Sequence, residues 1–193
     1  MTLHVLRAAE RTAVPWKNGG GVTREIAAAP VGAAADAFDW RISIADVAAD
    51  GPFSLFPGTD RTLTVVEGEG MDLMVGGEHH IVDEPYWPHD FPGDLETDGR
   101  LLAGPVVNLN VMYRRARTQA ATAVVRGTVR LLPPDGGAVL AVALEDGARL
   151  EGATRVQLGP YDAVLAVGES PGVLRTQGYA AVITLSGYAP GTR

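Results

Sequence analysis

The side chains in this sequence that can do chemistry are cationic and amide groups: Lys17, Asn18, Arg24, Arg41, Arg61, Asn108, Asn110 and Arg114. A planar guanidinium holds a carboxylate through two parallel hydrogen bonds, and an amide beside it fixes orientation. No strong general base accompanies the set. Its chemistry is recognition of a small anionic, carboxylate-bearing molecule rather than bond cleavage. Of the sixteen basic residues fifteen are arginine, which makes the lone lysine, Lys17, stand out as a compact ammonium in a guanidinium-rich chain.

Lys17 and Asn18 sit in the stretch WKNGGGVTRE, residues 16–25. Three consecutive glycines open backbone conformations closed to other residues, and successive N–H groups in such a turn can form a concavity for an anion. A plain hairpin turn with a polar flank accounts for the same composition. Arg61 lies where a loop rich in glycine and proline, Gly51 to Asp60, feeds a strand from Thr62 to Val66. Leu63 and Val65 fall on one face and Thr62 and Thr64 on the other. Gly68-Glu69-Gly70 then predicts a hairpin into a second strand, Met71 to Val75.

Other strands follow the same period of two. Trp40, Ile42 and Ile44 alternate with Arg41, Ser43 and Ala45, and Val107, Leu109 and Val111 alternate with Asn108, Asn110, Met112 and Arg114. Two amides and a guanidinium in register are costly to bury without partners. That face therefore meets either bulk water or the wet interior of a barrel.

Several motifs lead nowhere. Gly168-Glu169-Ser170-Pro171-Gly172 matches the serine-hydrolase pattern, but no Asp, Glu or His follows it, and the context predicts strand rather than helix. His79 and His80 are adjacent and so point to opposite faces of a strand. His89 can join one of them with Glu84 or Asp90, but that is only a loop-borne metal site, and the expectation is no metal and no cofactor. Neither a P-loop nor a dinucleotide fingerprint is present.

The elements that must position these residues are strands. Glycines number 24 and prolines 13 among short alternating apolar runs, which predicts an all-β chain with many turns. Cysteine is absent, excluding disulfides and thiolate chemistry. A net charge of −7 argues against nucleic acid as a partner. No apolar run is long enough to span a bilayer as a helix, and the N-terminus lacks a signal-peptide core, so a cytoplasmic protein without membrane contact is expected. A composition change near Thr118 divides the chain into residues 1–117, which hold the candidate site, and 118–193, poorer in functional side chains.

PWKNGGGVTREI (15–26), WRISIADV (40–47), GPFSLFPGTDR (51–61), EGEGM (67–71), FPGD (91–94) and NLNVMYRR (108–115) together resemble the HutD/Ves family. The resemblance covers most of residues 15–115, and the last third matches only in character. It implies a bicupin: two jelly-roll-like antiparallel β-barrels in one chain, without the metal-binding cupin motif. It also implies a pocket on Lys17, Asn18, Thr23, Arg24, Arg61 and Asn110. HutD-type members are associated with histidine utilisation operons. The implied ligand is a small acid such as a formylated or formiminated glutamate, or urocanate. Family members usually carry an acid where this chain has Asn108, so specificity here can differ. The expectation is a metal-independent small-acid-binding protein resembling HutD-type regulators, with a homodimer as its assembly. The alternatives are a cupin-type isomerase or hydrolase using Lys17 or a histidine, and a protein-interaction module docking through its second half.

Overall fold

The computed structural model describes residues 2–34 and 37–187, and these form strands β1 to β17 joined by turns and one 3-10 turn at Ala8–Glu10. In chain order the strands are β1 (Thr2–Leu6), β2 (Ala13–Pro15), β3 (Gly21–Ala29), β4 (Trp40–Val47), β5 (Gly51–Phe53), β6 (Thr59–Glu67), β7 (Met71–Val75), β8 (Glu78–Val82), β9 (His89–Pro92), β10 (Thr97–Leu101) and β11 (Val106–Arg114). They continue as β12 (Gln119–Leu131), β13 (Ala138–Ala143), β14 (Ala148–Glu151), β15 (Arg155–Leu158), β16 (Ala163–Val167) and β17 (Gly172–Ser186). The all-β expectation holds. Among the described residues no helix is long and apolar enough to cross a membrane.

The chain forms two compact units, Thr12–Ala116 and the pairing of Met1–Arg11 with Arg117–Arg193. In the first unit, one sheet runs β2-β3-β4-β11-β6-β9 and a second runs β5-β10-β7-β8. Side chains of both meet in one core. Leu63, Val65, Val47, Val106 and Phe91 come from the first sheet, and Met71, Leu73, Val75 and Val82 from the second. All pairings are antiparallel, so the alternation read from sequence becomes an inner and an outer face of each strand. Burial in β6 and β11 extends to both faces, and these strands show almost no exposed position.

The Gly68–Gly70 segment is not the hairpin expected. β6 pairs with β11 and β9, whereas β7 pairs with β10 and β8. The segment is a corner that carries the chain from one sheet to the other. Both glycines have φ near +100° (94° and 100°), and a Cβ on either would strike a carbonyl oxygen, Pro105 O at 2.6 Å or Val82 O at 2.4 Å. A two-stranded turn needs no such close approach; a packed corner does.

In the second unit the strand order is β1-β16-β13-β17-β14-β15, with β12 also paired to β17. Its core sets small residues against leucines: Ala141, Ala143, Ala148, Ala166 and Ala180 with Leu131, Leu150, Leu158 and Leu174. The first eleven residues, grouped by sequence with the first unit, belong here. β1 pairs with β16 from Thr2↔Val167 to Leu6↔Ala163, and its alternating Leu3 and Val5 pack on this core. Ser170 follows the bend at Gly168 and Glu169 and donates to Leu131 O at 2.6 Å, a loop contact rather than a nucleophile's.

Candidate functional site

The inner face of the first unit's larger sheet assembles the site row by row. Arg61 of β6 lies opposite Met112 of β11, which lies opposite Arg41 of β4. One step along, Asn110 sits between Leu63 and Ser43; the next step places Asn108 between Val65 and Ala45. Leu63 and Val65 belong to the unit's core, so these rows face inward. The choice left open by the sequence, water or barrel interior, resolves to the interior.

Arg61 is the centre of this arrangement. It is 6% exposed, and its guanidinium carbon lies 5.0 Å, 5.8 Å and 5.1 Å from the ring centroids of Phe53, Phe56 and Phe91. Nη1 donates to Ser54 O at 3.5 Å, while Nε is buried with no acceptor. Among the described residues no carboxylate is ion-paired to it. Burial lowers its pKa to about 10, so it stays charged at neutral pH. Three aromatic faces supply part of what water would have given the cation. Gly93 lets the β9 end pack against the β6 backbone, since a Cβ there would lie 2.9 Å from Thr59 O and 3.2 Å from Phe56 O.

Asn110 and Asn108 extend the polar surface. Asn110 Nδ2 donates to Asn108 Oδ1, and Asn108 Nδ2 and Asn110 Oδ1 are buried without a partner. At 0% and 7% exposure these amides keep one donor and one acceptor unspent. Glu25 and Arg41 close the same face with an ion pair of 2.9 Å.

The glycine-rich stretch reaches this centre through Trp16. Its indole Nε1 donates to Thr23 Oγ1 at 2.7 Å, and its ring lies 6.4 Å from Phe53, one wall of the Arg61 cage. Asn18 Oδ1 accepts from Gly20 N at 3.0 Å, an Asx turn that orders the loop, and its Nδ2 would lie 3.4 Å from a Cβ on Gly51. Lys17 occupies the exposed crest of that turn. Arg24 neighbours Thr23 and so projects from the opposite face, where it pairs with Asp46. Of the residues expected to form a pocket, the structure gathers Arg61 and Asn110 on one inner face and ties Thr23 to them through Trp16 and Phe53. Lys17 and Asn18 stand on the adjoining loop, and Arg24 is apart.

Four contributors escaped the sequence reading: Phe53, Phe56 and Phe91 as a cage, and Trp16 as a strut. Phe53 and Phe56 had a signal in the aromatics that precede Arg61 in GPFSLFPGTDR, whereas Phe91 and Trp16 lie elsewhere in the chain and had none. Arg115, a member of the basic cluster near 114–117, bridges Asp60 and Asp94. It clamps a strand end rather than forming a site.

The histidines divide as alternation requires. His79 points outward and meets Asp72 Oδ2 at 2.8 Å. His80 points inward, its ring centroid 5.0 Å from that of His89, which is itself 6.3 Å from Phe91. Burial, and secondarily His80, holds the His89 pKa below its ordinary value despite the nearby Asp90. Among the described residues no group of three or more histidine, aspartate or glutamate side chains converges as a metal site.

Known proteins place this geometry in context. A protein encoded in the hutC 3' region of Pseudomonas putida is 40% identical over 129 residues, 67% of either chain. A conserved protein of unknown function from Pseudomonas aeruginosa PAO1 superposes with a TM-score of 0.87 at 33% identity, over 96% of this chain and 99% of its own. HutD from Pseudomonas fluorescens SBW25, its structure determined in a formate condition, gives 0.82 at 34%, over 95% and 98%. A cupin 2 conserved barrel domain protein from Leptotrichia buccalis shares the fold alone, at 9% identity and a TM-score of 0.56 over 90% and 92%. The HutD family model matches residues 8–184, and the chain belongs to the HutD family.

Proposed function

We propose that this protein binds a small carboxylate-bearing metabolite on the inner face of the unit spanning residues 12–116, with Arg61 as anchor, and serves as a regulator in histidine utilisation. One observation carries the reading: a charged guanidinium, almost wholly buried, with an unpartnered Nε and, among the described residues, no carboxylate paired to it. Isolated buried charge is destabilising by several kcal/mol unless a partner arrives. An acid from outside supplies that partner, and the unspent amide groups of Asn108 and Asn110 orient the rest of it. Nothing in the site acts as a strong base beside a nucleophile, which favours binding over turnover.

The regulatory part rests on kinship: the chain is related to HutD and to a protein encoded beside hutC. The formate condition of the HutD structure makes formate, the smallest carboxylate, a natural first probe. A thermal-shift panel of formate, urocanate and N-acylated glutamates tests the proposal. An acid at about a hundred times its dissociation constant should stabilise the fold by roughly 2.7 kcal/mol. A flat panel would count against the site.

A further inference from the structure

His80 and His89 play no part in the carboxylate reading, yet their rings meet in the first unit. They come from β8 and β9, strands at the margins of different sheets, and meet on the inner side. Their centroids are 5.0 Å apart with the rings inclined at 55°. His89 Nε2 is buried without a hydrogen-bond partner.

The separation can be compared with what a shared ion demands. Zinc–imidazole bonds of about 2.0–2.1 Å put the centroids of two rings on one ion about 4.5 Å apart at a right angle and about 5.2 Å apart in a tetrahedral site. The observed 5.0 Å falls between these limits, so little movement is needed to seat an ion. Neutral imidazole suits borderline metals such as Zn²⁺, Ni²⁺ and Cu²⁺, and not Mg²⁺ or Ca²⁺, which demand oxygen. We infer that His80 and His89 form a two-imidazole site for a divalent transition-metal ion, its remaining positions filled by water or an anionic ligand. The sequence alone offers His89 as a partner for either of the adjacent histidines, and the structure makes that partner His80.

The inference stands apart from the carboxylate reading and is tested without any acid present. Untagged protein is titrated calorimetrically with Zn²⁺, Ni²⁺ and Cu²⁺, and with Mg²⁺ as a control. Wild type should bind one transition-metal ion per chain and no Mg²⁺. His80→Ala and His89→Ala should each weaken binding at least about tenfold, while the outward-facing His79→Ala should not. Electron paramagnetic resonance of the Cu²⁺ form should show two nitrogen ligands. Circular dichroism reports whether each variant is folded; should His89→Ala unfold, His80→Ala on the marginal strand and the Cu²⁺ spectrum still decide. Absence of binding, equal affinity in wild type and the folded His variants, or a spectrum without imidazole nitrogens would each overturn the site.

Discussion

Asn110 donates its side-chain amide to Oδ1 of Asn108, two residues back on the same strand face, and the pair is buried beside the row that holds Arg61. The bond satisfies half of each amide and leaves Asn108 Nδ2 and Asn110 Oδ1 unpaired. Removing one partner strands the other. Asn110→Leu should therefore destabilise by about 1–3 kcal/mol. The double variant Asn108→Leu/Asn110→Leu should lose less than the two singles summed, with a coupling of about 0.5–3 kcal/mol in denaturant melts. Strict additivity would show that the two amides are not a unit.

Arg61 should behave as a residue kept for function rather than for the fold. Its pKa near 10 reflects a penalty on the buried charge on the order of 3 kcal/mol, which the Phe53, Phe56 and Phe91 rings offset only in part. Arg61→Met preserves the apolar stem and removes the charge. Its unfolding free energy should be unchanged or higher, by up to about 3 kcal/mol. A loss of more than about 2 kcal/mol in urea melts would mean that the guanidinium supports the fold.

The glycines of the 16–25 loop should differ sharply in tolerance. Gly19 has φ +73° with open space around it, so Gly19→Asn should be nearly silent, Asn being at ease in the left-handed region. A Cβ on Gly21 would lie 2.5 Å from Asp46 O and 3.1 Å from the Trp16 ring. Gly21→Ala should cost about 1–3 kcal/mol and shift Trp16 off Phe53. Tryptophan fluorescence and thermal melts check both halves, and equal tolerance at the two positions would contradict the strut.

Acid should weaken the fold through His89. Its folded pKa lies below the ordinary 6.5, chiefly through burial and then through His80. The unfolded chain therefore takes up the proton first, so stability is full above about pH 6.5 and declines as pH falls toward the folded value. His89→Gln should remove that part of the slope. Melts at about pH 7.5 and 5.5 should show a larger drop for wild type than for the variant; parallel drops would rule the residue out as its source.

Much of this was legible beforehand. Period-two alternation located β7 at its observed residues and placed Asn108, Asn110 and Met112 together on one face of β11. Alternation also separates Thr23 from Arg24, which the family resemblance groups in one pocket. What stayed hidden depends on contacts distant in sequence. The Gly68 corner is dictated by Pro105 and Val82, the aromatic cage by a loop folding over β6, and the second-unit home of β1 by pairing with β16. None of these has a local signature.

Titration calorimetry of wild type and Arg61→Met with formate, urocanate and N-acylated glutamates tests the central claim most directly. Wild type should bind at least one of these acids with a one-to-one stoichiometry, and the folded Arg61→Met protein should bind none measurably. Equal affinity in the two proteins, or no acid bound by wild type, would contradict the account.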